Sequence, residues 1–220
     1  MTLLTGPTRP AAKGDADSLV IFLHGYGADG NDLIGLADPL GPHLPTTRFM
    51  APNAPEPCIN NPLGFQWFPI PVMDGSSEGQ AQASAKRSFE LLDTFLDEAE
   101  ASGIPPQKTV LFGFSQGTMM ALHVGLRRSK RLAGIAGFSG RLLVPEKLRG
   151  EIISRPPVLL VHGDADPVVP VSCLSEATKA LTAAEIDTKS HISRGVGHGI
   201  APDGLSLALQ FMQRHLGLAT

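Results

Sequence analysis

The chain has 220 residues, of which 42% are hydrophobic and 18% charged, a composition typical of one globular domain and unlike that of disordered or fibrous proteins. The formal net charge is −3 and no long run of Lys or Arg occurs, so we expect no nucleic acid as a partner. Cys58 and Cys173 are isolated in the sequence, which indicates reduced thiols. Met1 to Ser18 lacks the apolar core of a signal peptide, and no segment is apolar enough to span a membrane. We therefore expect a cytoplasmic protein without stable membrane association.

Short apolar runs alternate along the chain with longer amphipathic segments. The runs predict strands at residues 19–23, 48–51, 109–112, 132–138, 158–161 and 188–192, and the amphipathic segments predict helices at 31–40, 78–102, 116–128, 171–184 and 205–216. This alternation predicts an α/β fold with a mostly parallel sheet and helices on both faces, in a single domain over residues 1–220. Ligands of such sheets bind beyond the carboxyl ends of the strands.

Residues 52–77 form a segment rich in Pro, Gly and Asn that also contains Phe65, Trp67 and Phe68. A long irregular segment with aromatic side chains often has a function. We expect it to be a loop that covers or lines a site, with the three aromatic side chains on an acyl pocket. The alternative is a surface loop whose aromatic side chains fill the core.

The sequence Gly113-Phe114-Ser115-Gln116-Gly117 lies directly between a predicted strand and a predicted helix. This G-x-S-x-G motif in this setting is typical of a nucleophile elbow, a strained turn that exposes the serine oxygen above the sheet. Glycine is needed on both sides because the turn brings strand and helix into contact. We predict Ser115 as a nucleophile and the Gln116 N–H as a donor to an oxyanion. The simpler alternative is an ordinary strand-to-helix turn with an N-cap serine.

A serine nucleophile requires a base and an acid that orients the base. His198 lies among glycines in a loop after the last predicted strand, and it is the predicted base. His24 and His162 each end a strand, and we expect both to have structural hydrogen bonds. Asp166 is the predicted acid, while Asp164 on the same loop is expected to bond within its own turn. The chain order Ser, Asp, His is that of α/β-hydrolases.

The oxyanion hole needs a second N–H donor, and Leu23 at the end of the first predicted strand is the candidate. The glycines that follow, Gly25 to Gly30, also match the G-x-G-x-x-G pattern of dinucleotide-binding proteins. That pattern normally has an acidic residue at the end of the next strand, where this chain has Pro52 and Asn53. Dinucleotide binding is therefore a distant alternative.

These motifs together resemble the phospholipase/carboxylesterase family of α/β-hydrolases, which includes the acyl-protein thioesterases. The resemblance lies in the segments 23–32, 52–55, 113–117, 162–170 and 195–200. It implies an α/β-hydrolase fold with little or no cap domain, and Ser115, Asp166 and His198 as the triad. The chain departs from thioesterase relatives at Pro69, where they often have Asp, and at Thr118, where they often have Gly.

From the residues and the resemblance we expect a serine carboxylesterase that cleaves short- to medium-chain esters through an acyl-enzyme on Ser115. The alternatives are an acyl-protein thioesterase or lysophospholipase, and a hydrolase-like binding module without activity. The expected partner is a small acyl ester or thioester, with neither metal nor organic cofactor. The sequence leaves open whether the chain forms a homodimer.

Overall fold

The computed structural model describes residues 4–218, and its centre is a seven-stranded sheet. The strand order is β1-β3-β2-β6-β7-β8-β9, and only β1 runs antiparallel to its neighbour, β3. The strands are β1 (Thr8–Arg9), β2 (Ser18–Leu23), β3 (Thr47–Met50), β6 (Thr109–Phe114), β7 (Gly134–Phe138), β8 (Val158–Gly163) and β9 (Thr188–Ser193). The short strands β4 (Glu56–Pro57) and β5 (Phe65–Gln66) pair with each other outside this sheet.

Eight α-helices of the described part of the chain surround or connect the strands, and they cover both faces of the sheet. They are α1 (Gly30–Ile34), α2 (Ala37–Leu40), α3 (Pro71–Asp74), α4 (Glu78–Ala101), α5 (Gln116–Gly125), α6 (Leu148–Glu151), α7 (Ser172–Ala183) and α8 (Pro202–Leu216). Among residues 4–218, no helix combines the length and the apolar character that crossing a bilayer requires. The predicted α/β-hydrolase architecture is confirmed, and none of the described residues forms a separate cap domain.

The core is divided into two clusters by the sheet. Alternate residues of β2 point to opposite faces, as the period of a strand requires: Leu19, Ile21 and Leu23 belong to one cluster, and Val20 and Phe22 to the other. Helices α4, α5 and α7 bury their apolar sides in the first cluster, and α1, α2 and α8 in the second. Because both faces are covered, the central strands read as continuous apolar runs.

Two predictions about elements were wrong. The helix predicted over residues 31–40 is two short helices, α1 and α2, separated at Gly35. Leu33 and Leu40 still reach the same apolar cluster, so the periodicity was correct while the continuity was not. The segment 52–77, predicted to be irregular throughout, contains β4, β5 and α3.

Both cysteines, Cys58 and Cys173, are unpaired, in agreement with the expectation of reduced thiols.

Candidate active site

Ser115 lies in the turn between β6 and α5, with φ of 52° and ψ of −114°. Few residues other than glycine adopt this conformation, and strain of this kind concentrates at functional sites. A Cβ added to Gly113 would lie 2.5 Å from the Gly117 oxygen, and one added to Gly117 would lie 1.8 Å from the Leu23 oxygen. The flanking positions therefore admit only glycine, for the reason that the sequence motif suggests.

The Thr118 side chain lies next to the elbow and links β6 to β7 by hydrogen bonds. Its hydroxyl oxygen is 2.8 Å from the carbonyl oxygens of Gly113 and of Phe138, and it accepts the Phe138 N–H at 2.9 Å. A Cβ added to Gly137 or Gly140 would come within 2.5 Å and 2.4 Å of Thr118 side-chain carbons. These two glycines make room for the Thr118 side chain.

His198 and Asp166 are brought together from loops that follow β9 and β8. The His198 Nδ1 is 2.8 Å from Asp166 Oδ2, and the Asp166 side chain is fully buried. Asp166 Oδ1 also accepts the N–H groups of Val168 at 2.8 Å and Val169 at 2.9 Å. Burial would raise the pKa of Asp166, but hydrogen bonds from His198 and from the Val169 and Val168 N–H groups outweigh it and lower the pKa below its usual value. The carboxylate stays ionised beside the imidazole.

The neighbours of this pair are structural. His162 Nε2 lies 2.9 Å from the Val169 oxygen and 3.3 Å from Asp166 Oδ2, so its hydrogen bonds support the loop beneath the pair, as expected. The expectation for Asp164 was wrong. Its Oδ1 accepts the Gly195 N–H at 2.7 Å, on the loop that carries His198, instead of bonding within its own turn. The two loops are therefore joined at their bases.

His198, the predicted base, lies beside the elbow, and its side chain is partly exposed to solvent. The rings of Phe114 and His198 are 4.9 Å apart between centroids, and the His198 side chain is 18% exposed. Within residues 4–218 the Ser115 hydroxyl forms no hydrogen bond, so its bond to His198 Nε2 is not made in this arrangement. Such catalytic bonds often tighten only when substrate is bound.

His24, at the end of β2, is buried and neutral. Its Nδ1 lies 2.8 Å from the Gly25 oxygen and its Nε2 accepts the Ala54 N–H at 3.0 Å. Burial lowers the pKa of His24. The expected structural role is confirmed, since both ring nitrogens are occupied by main-chain groups.

The three aromatic residues of the 52–77 segment differ in their surroundings. Trp67 is fully buried in the core and its Nε1–H donates to the His24 oxygen at 3.0 Å. Phe68 is 8% exposed, and Phe65 is half-buried. The indole thus offers no surface to an acyl chain, which corrects the expectation that it lines a pocket. It fills the core, as the alternative interpretation held, because a large apolar ring with a satisfied N–H is stable there. Phe65 stays the most accessible of the three.

The structural role of the Gln116 side chain was not predicted from the sequence. It is buried, and its amide joins the elbow to the 52–77 segment: Oε1 accepts the Trp67 N–H at 2.9 Å and Nε2–H donates to the Phe68 oxygen at 2.7 Å. The Tyr26 hydroxyl links the turn after β2 to the same segment by donating to Asp74 Oδ2 at 3.0 Å. The G-x-S-x-G motif predicts a function for the main-chain N–H of Gln116, and it contains no information about the partners of the side chain.

The glycine-rich loop after β2 uses its main-chain donors within the protein. The Gly27 N–H donates to the Phe65 oxygen at 2.9 Å, and the Gly30 N–H donates to Asn53 Oδ1 at 2.8 Å. A dinucleotide pyrophosphate would need such N–H groups free. This loop instead packs against the nucleophile, since a Cβ added to Gly25 would lie 3.4 Å from the Ser115 Cβ.

The proposed oxyanion donors occupy different positions. The Gln116 N–H is in the first turn of α5, where helix N–H groups lack intrahelical acceptors. Leu23 is fully buried within the ladder between β2 and β6, in register with Gly113. The Tyr26 N–H, beside Gly25, has no acceptor within the described residues. The turn after β2 therefore offers an additional donor that the sequence analysis did not consider.

Comparisons with known proteins agree with this architecture. Residues 10–216 match the family model described as Phospholipase/Carboxylesterase. The chain is 31% identical to "Acyl-protein thioesterase 1" of Schizosaccharomyces pombe, over 90% of this chain and 91% of that protein. It is 28% identical to the protein of the same name from Gibberella zeae, over 94% of both chains.

Among solved structures, "esterase PE8" is 47% identical with a TM-score of 0.92, covering 98% of this chain and 100% of the other. "Zea mays acyl-protein thioesterase 2" is 25% identical with a TM-score of 0.76, covering 96% and 100% of the two chains. The family match spans nearly the whole chain and every segment that carries the motifs. The chain therefore belongs to the phospholipase/carboxylesterase family of α/β-hydrolases.

Proposed function

We propose that the protein is a serine carboxylesterase that hydrolyses short- to medium-chain carboxylic esters through an acyl-enzyme on Ser115. The observation that carries the proposal is the His198–Asp166 hydrogen bond of 2.8 Å beside a serine with φ of 52°. Family membership and the 47% identity to a protein named an esterase support the reaction class.

In the proposed mechanism, His198 removes the Ser115 proton while the serine oxygen attacks the acyl carbonyl. His198 Nε2 carries this proton because Nδ1 is directed at the Asp166 carboxylate. The imidazolium then protonates the leaving alcohol, and a water molecule activated by the same histidine hydrolyses the acyl-enzyme. Each step uses only this chain's residues, the substrate and water, so the proposal includes neither a metal nor an organic cofactor.

The Gln116 N–H would stabilise the oxyanion together with a second donor from the end of β2 or the turn after it. Leu23 is the donor suggested by the sequence, and Tyr26 is the alternative favoured by its unpaired N–H and by the contact between Gly25 and Ser115. Loss of one such donor typically costs about 100- to 1000-fold in rate. Tyr26→Pro removes that N–H together with the hydroxyl bond to Asp74, so Tyr26→Phe, which keeps the N–H, is its control. A loss of rate in the proline variant alone assigns the donor to Tyr26.

A second candidate activity is hydrolysis of acyl thioesters. It is favoured by relatives named acyl-protein thioesterases at 28–31% identity over most of the chain. The same triad would serve both bonds, because only the leaving atom differs. The partner we propose is in either case a small acyl ester or thioester.

The experiment is a comparison of wild type with Ser115→Ala on p-nitrophenyl butyrate and on the matching thioester. We expect the substitution to lower kcat by at least about 10⁴-fold while the melting temperature stays within a few degrees. A fluorophosphonate probe should label the wild type at Ser115 and leave the variant unlabelled. An active, labelled variant, or a wild type without activity on either substrate, overturns the proposal.

A further inference from the structure

The Gln116 side chain is a buried amide with both ends occupied by the main chain of the 52–77 segment. Gln116 is 1% exposed, and its two hydrogen bonds to Trp67 N–H and Phe68 oxygen are 2.9 and 2.7 Å long. Gln116 is also the residue next to Ser115, and its own N–H is the proposed oxyanion donor. One residue therefore touches the nucleophile by its backbone and the aromatic segment by its side chain.

Trp67 extends this connection to two further elements. Its main-chain oxygen accepts a hydrogen bond from Ser88 Oγ on α4, and its indole N–H donates to the His24 oxygen at the end of β2. Every polar group of Trp67 is thus bonded to a residue outside the 52–77 segment. The main chain at Trp67 and Phe68 cannot move away from the elbow without breaking buried hydrogen bonds.

The segment held in this way is suited to contact with apolar substrate groups. It contains no charged residue from Pro57 to Met73. Phe65 within it is half-buried, and the Gly27 N–H on the turn beside the elbow donates to the Phe65 oxygen. A shift of the segment would move Phe65 and this turn relative to Ser115.

We propose that the Gln116 side chain is a positioning group that holds the Phe65–Phe68 strip against the nucleophile elbow and thereby sets which substrate chain lengths are accepted. The proposal rests on the proposed esterase function. Packing alone does not require an amide at this position, because methionine has nearly the same volume and shape. The amide bonds the buried Trp67 N–H and Phe68 oxygen, which methionine would leave without partners, and these two directional bonds fix the position of the strip.

The test compares Gln116→Met with Gln66→Met on p-nitrophenyl esters from acetate to decanoate. Gln66 is also 1% exposed, but its amide bonds lie within the segment, to the Ile59 N–H at 3.0 Å and to Glu56 at 3.4 Å. Both substitutions remove a buried amide of equal size, so their effects on the melting temperature should be similar. Only Gln116→Met removes the link to the elbow.

We expect Gln116→Met to lower kcat/KM for the preferred chain length by about tenfold relative to acetate, because small misplacements of substrate-positioning groups have effects of this size or larger. The change should appear in KM and in the length profile, while Gln66→Met keeps the wild-type profile. Equal profiles for both variants and the wild type would contradict the positioning role. Wild-type hydrolysis of the same esters tests the proposed esterase function by itself. An inactive wild type would contradict that function, whereas unchanged variant profiles would contradict only the positioning role.

A third variant, Gln116→Glu, gives a readout that does not depend on activity. A protonated glutamic acid can accept the Trp67 N–H and donate to the Phe68 oxygen, whereas the carboxylate has no proton to donate. Trp67 is the only tryptophan, so acrylamide quenching of its fluorescence reports on the strip alone. The titratable residues bonded to the strip, His24 at Trp67 and Glu56 at Gln66, are common to the wild type, which serves as the control. Burial raises the pKa of a carboxyl group, so quenching is followed from pH 5 to pH 10. It should rise across this range in the variant only, and a variant that matches the wild type throughout overturns the proposal.

Discussion

Two regions meet at the carboxyl edge of the sheet, and they are held in place by different means. The strand-end loops, residues 113–117, 163–170 and 194–201, carry Ser115, Asp166 and His198. They follow directly from β6, β8 and β9, so the parallel ladder itself brings them to one edge. The 52–77 segment leaves the sheet after β3, and side chains from other elements hold its backbone in place.

The two regions also differ in charge and strain. The strand-end loops contain a buried carboxylate, three glycines without room for a Cβ (Gly113, Gly117 and Gly163), and a serine with positive φ. The 52–77 segment has no charged residue over most of its length and buries its largest ring in the core. We therefore expect substitutions in the loops to change the rate, and substitutions in the segment to change stability and substrate preference.

The largest effect is expected for Asp166→Asn. The substitution removes the charge that stabilises the imidazolium and allows the wrong histidine tautomer, so kcat should fall by about 10⁴-fold. Asp164→Asn is the matched control, because its remaining Oδ1 can still accept the Gly195 N–H, and kcat should stay near the wild-type value. Equal losses in the two variants would mean that Asp166 is not the acid. The measurement is kcat on p-nitrophenyl butyrate.

Trp67→Ala should act mainly on stability. Removing a fully buried indole and its bond to the His24 oxygen should lower the free energy of unfolding by about 3–5 kcal/mol. Phe65→Ala, at a half-buried site in the same segment, should cost less. Urea denaturation measures both. A Trp67→Ala variant of wild-type stability with an altered chain-length profile would restore the interpretation of Trp67 as a pocket residue.

Thr118→Val is expected to have an intermediate effect. Valine keeps the shape but leaves the buried Phe138 N–H without its acceptor and the Gly113 oxygen without its donor. The expected loss is about 1–3 kcal/mol in the free energy of unfolding. Ser175→Ala on α7, whose exposed hydroxyl bonds only to the Ser172 oxygen, is the control and should change little. Thermal unfolding of both variants would show whether the hydroxyl under the elbow carries this stability.

The smallest effect is expected for Leu63→Ser. Leu63 is 91% exposed, so the substitution should change the free energy of unfolding by less than about 0.5 kcal/mol. Activity on p-nitrophenyl acetate should also be unchanged. A loss of activity confined to long-chain esters would show that the segment contacts substrate beyond the Phe65–Phe68 strip, and would sharpen the difference between the two regions.

The fold class and the strand ends that carry the reactive residues could be predicted from the amino-acid sequence alone. Apolar runs predicted the central strands to within a few residues, because a strand that is buried on both faces is a continuous apolar run in the sequence. The G-x-S-x-G motif and the order of Ser115, Asp166 and His198 placed three chemical groups at strand ends, where a parallel sheet brings such groups together. Local sequence is sufficient for this because each group follows its own strand.

The side chains that hold these groups in place could be identified only from the folded protein. Asp164 bonds to Gly195 across 31 positions, and Gln116 bonds to Trp67 across 49. Such contacts depend on how distant segments pack, so neither the periodicity nor the motifs of the sequence predict them. The same holds for Trp67, which sequence could assign to the pocket or to the core. Trp67 lies in the core cluster that also contains residues of α4, where its ring is fully buried and its main-chain oxygen accepts the Ser88 hydroxyl.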